Sequence, residues 1–341
     1  MRNILIVTTS TGFFAQNKMP WSSMDVRVIA DFFSDAGFSV DIVDFNYLCE
    51  NINGITENII IYTSSQRVEH KKYIEDVVFL LQENNVLVPS FEAFMAHDNK
   101  GFQCILDKKY NLSLIPSKYY SDISEIDDDI SFPCVFKPAN GASSTGVSIV
   151  HDVGQLTEIL NDVNTYTIQD LKRNIKKYFF PKKYNRHWEE YISFGRKRFV
   201  LQEFIPNLKY DYKVLIFGKK FYVLKRFVAK NDFRASGSGI HARDLTLDDK
   251  ELLIVLNKAD EFRGSFRSHI YSLDVCVVNN VAYLIEFQFT HVGPVTLSES
   301  GLYYARDDSG EWEVIITKSN LENEFCLAVL EYINENSPSC A

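Results

Sequence analysis

Lys137 stands directly before "PANGASSTGV", a loop with two glycines set between the apolar stretches "PCVFK" and "VSIV". The pattern reads as strand, loop, strand, which makes residues 132–150 a hairpin. Small side chains let such a loop come close to an anion and offer backbone N–H groups to phosphate oxygens. A lysine at its mouth adds a point charge. The loop has no GK[ST] and leads into a strand rather than a helix, so it is not a P-loop. On this stretch alone an ordinary structural turn explains the glycines equally well.

A second group lies in "SLDVCVVNNVAYLIEFQF". "NN" between two apolar β-branched runs marks a hairpin turn. Asp274 falls near the start of the first strand, and Glu286 and Gln288 near the end of the second. The hairpin brings these ends together, and residues two apart share a face. Two acids and an amide oxygen among apolar neighbours are costly unless they bind something. An all-oxygen set suits Mg²⁺, which bridges readily to nucleotide phosphates. The competing reading is an exposed sheet face.

Other chemistries find less support. "NDFRASGSGIHARD" lacks the GxSxG of a nucleophile elbow, and His241 is a lone histidine. His291 in "FTHVGP" fits an acceptor-binding role and a structural loop equally well, and Gly293 with Pro294 makes that loop a tight turn. Cys49, Cys104, Cys134, Cys276, Cys326 and Cys340 show no CxxC spacing, so free thiols in a reducing cytoplasm are expected rather than zinc or disulfides. A net charge of −9 argues against a nucleic-acid partner. No run approaches the length of a membrane span, and "ILIV" is too short for a signal core, so "MRNILIVTTS" is read as the first strand.

The elements that must position these groups follow from periodicity. Over residues 1–92 strands and helices alternate: "NILIVTT", a helix "SSMDVRVIADFFSDAG" opening at a serine cap and closing at Gly37, "FSVDIVDF", "NIIIYTSS", a helix "YIEDVVFLLQENN", and "VLVPS". That alternation predicts a parallel sheet with covering helices. "AHDNKGFQCILDKKYN" reads as helical and "LIPSKYY" as extended. The acidic "SDISEIDDDI" reads as a surface connection or helix start. A basic segment at about 162–198 looks like an insertion, either a solvated helix pair or a contact to an anionic ligand. From 199 onward the chain is mostly β. A final helix puts Leu321, Phe325, Ala328 and Tyr332 on one stripe.

Taken in order, these parts resemble the ATP-grasp superfamily, especially its ribosomal-protein glutamate ligase and D-alanine–D-alanine ligase branches. The resemblance runs from about residue 90 to 300, and the sheet before it is similar to the family's pre-ATP-grasp domain. It implies an α/β (α+β lobes) architecture, the ATP-grasp fold with an N-terminal parallel-sheet domain. The expected division is 1–92 for that domain, 93–203 for a small lobe with the hairpin and the insertion, and 204–341 for a large lobe with the metal site.

The resemblance also assigns roles. Lys100 in "HDNKGF" and Lys137 match the two ATP lysines. Residues 138–147, among them Ser143, Ser144, Thr145, Gly146 and Val147, form a lid over the triphosphate. "VLQEFIP" resembles the hinge. There Gln202 adjoins the nucleotide, the backbone of Glu203 and Ile205 reads the adenine edge, and Phe204 lies beside the ring. Asp211 sits where the family binds the ribose hydroxyls. Arg226 and Arg234, in "KRFVAKNDFRASGSG", match catalytic arginines facing the γ-phosphate and an acyl phosphate. Asp274, Glu286 and Gln288 fall on the metal ligands. Gln288 replaces the usual Asn, and Lys213 stands where the glutamate ligase has Arg.

The activity implied is ATP-dependent ligation. ATP with Mg²⁺, or Mn²⁺ in its place, activates a carboxylate as an acyl phosphate that an amine attacks, releasing ADP and phosphate. The implied partners are small-molecule carboxylate and amine substrates, in modification of a surface polysaccharide or a peptide-like metabolite, and a homodimer is allowed. The alternatives are an ATP-grasp small-molecule kinase and a non-catalytic nucleotide-binding scaffold.

Overall fold

The computed structural model describes the chain except residues 1–2, 19–21, 98, 127–129, 142–145, 161–167, 186, 188–196, 231, 291 and 337–341. It divides into two compact units. One holds Met1–His97, Leu106–Leu114 and Asn207–Ala341, and the other Asp98–Ile105 and Ile115–Pro206.

The first unit opens with β1 (Asn3–Thr8), the short pair β2 (Gln16–Lys18) and β3 (Ser22–Ser23), α1 (Val26–Asp35), β4 (Ser39–Asp44), α2 (Phe45–Glu50), β5 (Asn58–Ile61), α3 (Val68–Leu81) and β6 (Val86–Val88). The strands form a parallel sheet in the order β4-β1-β5-β6. β1 is buried almost throughout, as a continuous apolar strand between two layers should be. Asp25, not a serine, caps α1: its carboxylate accepts from the N–H groups of Arg27 and Val28, while Ser22 and Ser23 lie in β3. The helix start was misplaced because serine and aspartate compete as caps within three residues. Gly37 does follow the helix end, at φ +91°.

After α4 (Phe91–Ala96) comes α5 (Lys100–Tyr110); the stretch read as helical, residues 96–111, holds α5, while α4 before it had no counterpart in the sequence reading. The second unit's strands are β7 (Ser117–Tyr120), β8 (Cys134–Pro138), β9 (Ser148–Val150) and, after α6 (Val153–Leu160) and α7 (Ile168–Phe179), β10 (Phe199–Glu203). They pair antiparallel in the order β7-β10-β8-β9. Phe136, Val150, Leu156, Leu160, Phe199 and Leu201 fill that unit's core. Gly101 lies flat against Tyr119; a Cβ there would sit 2.3 Å from the ring, so only glycine fits.

The chain then returns to the first unit with β11 (Tyr210–Phe217), β12 (Lys220–Phe227), β13 (His241–Ala242), α8 (Lys250–Ser265), β14 (Ile270–Val278), β15 (Val281–Gln288), α9 (Val295–Ser298), β16 (Leu302–Arg306), β17 (Trp312–Ile316) and α10 (Leu321–Asn336). These strands build a seven-stranded sheet, β15-β14-β11-β12-β16-β17, with β13 on β12. The hairpin β16–β17 had no counterpart in the sequence reading. The residues Phe221 and Trp312 pack edge to face at 5.0 Å where it joins the sheet. α8 covers β14 and β15 through Leu252, Val255, Leu256, Ala259 and Phe262, which leaves their other face to the polar residues. The stripe Leu321, Phe325, Ala328 and Tyr332 is buried as expected and shares a core with Ile4, Ile6 and Phe33 of the N-terminal sheet and Leu215 and Phe217 of β11.

Candidate active site

Strand register gathers the charged residues of the first unit on one sheet face. Asp211 pairs with Arg226 across β11 and β12, Lys213 with Asp274 across β11 and β14, and Ser272 with Gln288 and Asp274 with Glu286 across β14 and β15. The Asn279–Asn280 turn, both residues at positive φ, starts a regular register in which Val278 faces Val281 and Val275 faces Leu284. Continued unbroken, it would set Asp274 against Ile285 and turn Glu286 toward the buried side. A bulge between Asp274 and Val275 adds one residue on β15, so the buried positions change from Ala282 and Leu284 before it to Phe287 and Phe289 after it. One extra residue inverts the alternation, and this brings Glu286 and Gln288 onto the face of Asp274.

Arg226 ties that face together. Its Nε and Nη2 donate to the two Asp211 carboxylate oxygens at 2.7 and 2.9 Å, and its Nη2 lies 2.9 Å from Asp274 Oδ2. Burial pushes the Asp211 carboxyl up to about 6, against the pull of Arg226 and with the added repulsion of Asp274. Burial also works against the Arg226 charge, but Asp274 and Asp211 outweigh it and hold its pKa above the usual arginine range. Lys213 Nζ donates to Ser272 Oγ at 2.7 Å and stands 3.8 Å from Asp274 Oδ1. Burial lowers its pKa against the attraction of Asp274. Gly293, at φ +69°, passes close to this lysine; a Cβ would lie 3.6 Å from Lys213 Cε. Ser272 was missed in the sequence, although its place two residues before Asp274 puts it on the same face.

Gln288 Nε2 donates to Glu286 Oε1 at 3.2 Å, so the two predicted ligands do meet. Among the described residues no group of three or more His, Cys, Asp or Glu side chains could hold a metal. A third protein donor at this site would therefore be an amide. Two facing carboxylates and an amide oxygen, with no sulfur or nitrogen ligand, fit a hard divalent cation that keeps part of its water. Arg234 is placed differently. It folds back on Asp232, Nε to Oδ1 at 3.0 Å, and this pairing pulls Asp232 down to about 2.

The second unit carries the other predicted residues. Lys137 lies in β8, opposite Val200, and is only 6% exposed; Lys100 is 7% exposed. The Lys100 N–H donates to Ala139 O at 2.8 Å and its Nζ to Gly141 O at 2.5 Å, so this lysine grips the base of the hairpin. Gly146 closes the hairpin at φ +72°, where a Cβ would approach Pro138 Cγ to 2.9 Å. Val147 is half-buried. Ser143, Ser144 and Thr145 lie outside the described residues, as does His291. Gln202 is buried and donates to Ser117 Oγ at 3.0 Å. The Glu203 N–H donates to Pro116 O at 2.9 Å, which leaves that residue's carbonyl as the group able to read a base edge. Phe204 and Ile205 follow, half-buried. All five described cysteines, Cys49, Cys104, Cys134, Cys276 and Cys326, are free thiols. Among the described residues no helix is long and apolar enough to cross a membrane.

No family model matches the chain. A phosphoribosylamine–glycine ligase from Fusobacterium nucleatum is 30% identical over 131 residues, 34% of this chain and 30% of that protein. A D-alanine–D-alanine ligase from Campylobacter jejuni is 32% identical over 95 residues, 26% of this chain and 27% of that protein. The matched stretches thus span under a third of these relatives' lengths. Among solved structures, a D-alanine–D-alanine ligase from Bacillus anthracis superposes with a TM-score of 0.51 at 14% identity, covering 99% of this chain and all of that one. Likeness across the whole chain at so low an identity is likeness of fold: the chain has the fold of this D-alanine–D-alanine ligase, the one expected from the order of its parts along the sequence.

Proposed function

We propose that the protein is an ATP-dependent carboxylate–amine ligase. The observation that carries this reading is the bulged register of β14 and β15, which sets Asp274 against Glu286 on a face also holding Lys213 and Arg226. A sheet face of this kind has little use in packing, because shielding charged groups from water is costly even where Lys213 and Arg226 lie beside the acids. Asp274, Glu286 and Gln288 would hold Mg²⁺. The ion would draw charge from the phosphates of ATP during phosphoryl transfer.

The remaining work falls to the protein's own groups. Lys100 and Lys137 present positive charge to phosphate oxygens, and the hairpin 138–147 folds over them. The carbonyl of Glu203 and the N–H of Ile205 hold the adenine edge. Arg226, held beside Asp274 by its forked contact to Asp211, would direct an N–H group toward the transferring phosphoryl group. Arg234 faces the acyl phosphate after leaving Asp232. Preorganised positive charge is the main source of acceleration in phosphoryl transfer. Closure keeps water from the acyl phosphate until the amine attacks. In this reading residues 1–92 act as the pre-ATP-grasp domain, 93–203 as the small lobe and 204–341 as the large lobe. Likeness to a D-alanine–D-alanine ligase supports a small carboxylate and a small amine as substrates.

The test is a product screen. Purified protein, ATP and Mg²⁺ are incubated with pools of amino acids, amino sugars and hydroxy acids, and the products are weighed by mass spectrometry. A product lighter than its two substrates by one water supports the ligase. A substrate heavier by one phosphoryl group would instead identify a kinase, and nucleotide binding without turnover in any pool would identify a scaffold.

A further inference from the structure

Helix α7 and the turn after it expose a row of apolar side chains. Leu171 is 49% exposed, Ile175 44%, Tyr178 76%, Phe179 75% and Phe180 52%. On a helix of 3.6 residues per turn, positions 171, 175, 178 and 179 fall on one stripe. Every other long stripe described here closes on a core: Ile29 and Phe33 of α1, Leu156 and Leu160 of α6, Leu321 and Phe325 of α10. None of these five residues belongs to a described core.

Charge is concentrated beside the same stripe. Between Ile168 and Lys183 the sequence has Lys172, Arg173, Lys176, Lys177, Lys182 and Lys183 against the single acid Asp170, in a chain whose net charge is −9. Lys172 and Lys176 fall on the helix flank next to the apolar positions. Aromatic residues stand at the helix end, and lysine stems can lie along apolar surface while their heads stay in water.

We propose that α7 is an interfacial helix that docks the protein on an anionic lipid surface. A narrow apolar stripe edged by lysines and ending in aromatic side chains is the pattern of a helix lying in the headgroup plane. At 12 residues it is far too short to span a bilayer. A second copy of the chain is a poor occupant, because two such strongly basic faces would repel. A nucleic acid is also a poor occupant, since Leu171 and Ile175 in the stripe offer neither stacking nor charge.

The test is sedimentation of the full chain with vesicles of phosphatidylcholine alone or mixed with phosphatidylserine. Binding is expected to the mixed vesicles, to weaken steeply with added salt, and to be absent from phosphatidylcholine alone. Each basic residue near the surface is worth roughly a five-fold change in partition. Lys176→Glu with Lys177→Glu should therefore abolish measurable binding. Tyr178→Ser with Phe179→Ser should also reduce it about ten-fold or more while the charge is unchanged. Both variants should retain the wild-type thermal melt, since Tyr178 and Phe179 are largely exposed and Lys177 reaches the Tyr184 ring of the following turn. Equal binding to both vesicle types, no binding to either, or a dimer in solution that the serine variant dissolves would each overturn the proposal. So would a single-stranded oligonucleotide binding more tightly than the mixed vesicles.

Discussion

Arg226 lies 2.9 Å from Asp274 through the same guanidinium that grips Asp211 with two hydrogen bonds. One cation serves two acids, and both acids are largely shielded from water, with side chains 6% and 20% exposed. Removing the cation strands Asp211 and leaves Asp274 with Lys213, 3.8 Å away. Breaking a buried pair from one side costs about 3–5 kcal/mol. Arg226→Met should lose roughly that much at neutral pH, and Arg226→Lys should recover only part, because a lysine cannot make the forked contact.

The pH dependence of this loss has a defined sign. The Asp211 pKa is already raised to about 6 in the folded protein, above its ordinary value. The folded state therefore binds the proton more tightly, and the stability this group contributes is present at low pH and lost as pH rises through 6. Without Arg226 the pKa climbs further. The deficit of Arg226→Met should consequently be larger at pH 8 than at pH 5, measured by urea unfolding at both. An equal deficit at the two pH values would mean that Arg226 stabilises by packing rather than by charge.

His269 gives the opposite slope. It is buried against Phe325 and Tyr332, and burial holds its pKa near 3. The unfolded chain takes up a proton below about 6.5 and the folded one does not. Stability contributed by the neutral ring is thus complete above that value and declines as pH falls toward 3, at up to roughly 1.4 kcal/mol per pH unit. His269→Phe should melt less steeply with acid between pH 6 and pH 4 than wild type, whatever its stability at pH 7. Parallel melting curves against pH would remove His269 as a source of acid lability.

Most of the fold could be read from the sequence because its signals are local. "NILIVT" is a buried parallel strand by composition alone, and Asn279–Asn280 announces its own turn. The pairing of Asp274 with Glu286 was also expected, but its cause was not. The sequence "YLIEFQF" alternates poorly across Ile285 and Glu286, and that lapse is the trace of the bulge, visible only once a partner strand fixes the register. The grip of Arg226 on two acids was hidden for a similar reason: Asp211, Arg226 and Asp274 come from three strands, and nothing local relates them. The hairpin β16–β17 went unread because "LYYARDDSGEWEVII" carries its apolar residues without clean alternation.

Lys137 calls for a particular substitution. It is only 6% exposed, so its stem packs against its neighbours as well as carrying a charge. Lys137→Met keeps the stem and removes the charge. A hydrogen bond to a charged group contributes roughly 1.5–3 kcal/mol, so ATP affinity measured by calorimetry should fall by about ten- to a hundred-fold with little change in melting temperature. Unchanged affinity would take Lys137 out of the phosphate site.

The hairpin 138–147 should gain protection when nucleotide binds. Hydrogen exchange at Gly141, Gly146 and Val147 should slow when a non-hydrolysable ATP analogue binds, since glycine-bearing loops lose most freedom on closing. Gly146→Ala should impair this closure specifically, because the new methyl meets Pro138 at a backbone angle that favours glycine. Protection that is the same with and without the analogue would count against a lid.

Glu286 offers the sharpest test of the site. It faces Asp274 across the bulge and receives a hydrogen bond from Gln288. Glu286→Gln preserves its shape and removes one of two like charges, so the empty protein should be as stable as wild type or slightly more so. Catalysis should respond in the other direction. A metal bound by one carboxylate fewer loses both affinity and the charge that opposes the phosphates, and electrostatic terms of this kind are worth roughly two to three powers of ten in turnover. Gln288→Asn should stay within about ten-fold of wild type, because it shortens the amide ligand by one methylene and keeps its chemistry. The two variants are compared by ADP release at saturating Mg²⁺ with the amine and carboxylate that the product screen identifies. Mg²⁺ affinity in the presence of ATP is measured separately by calorimetry. A Glu286→Gln enzyme with near-normal ADP release and unchanged Mg²⁺ affinity would end the case for metal binding at this sheet face. Weak Mg²⁺ binding with no loss of turnover would place the metal here and the chemistry elsewhere.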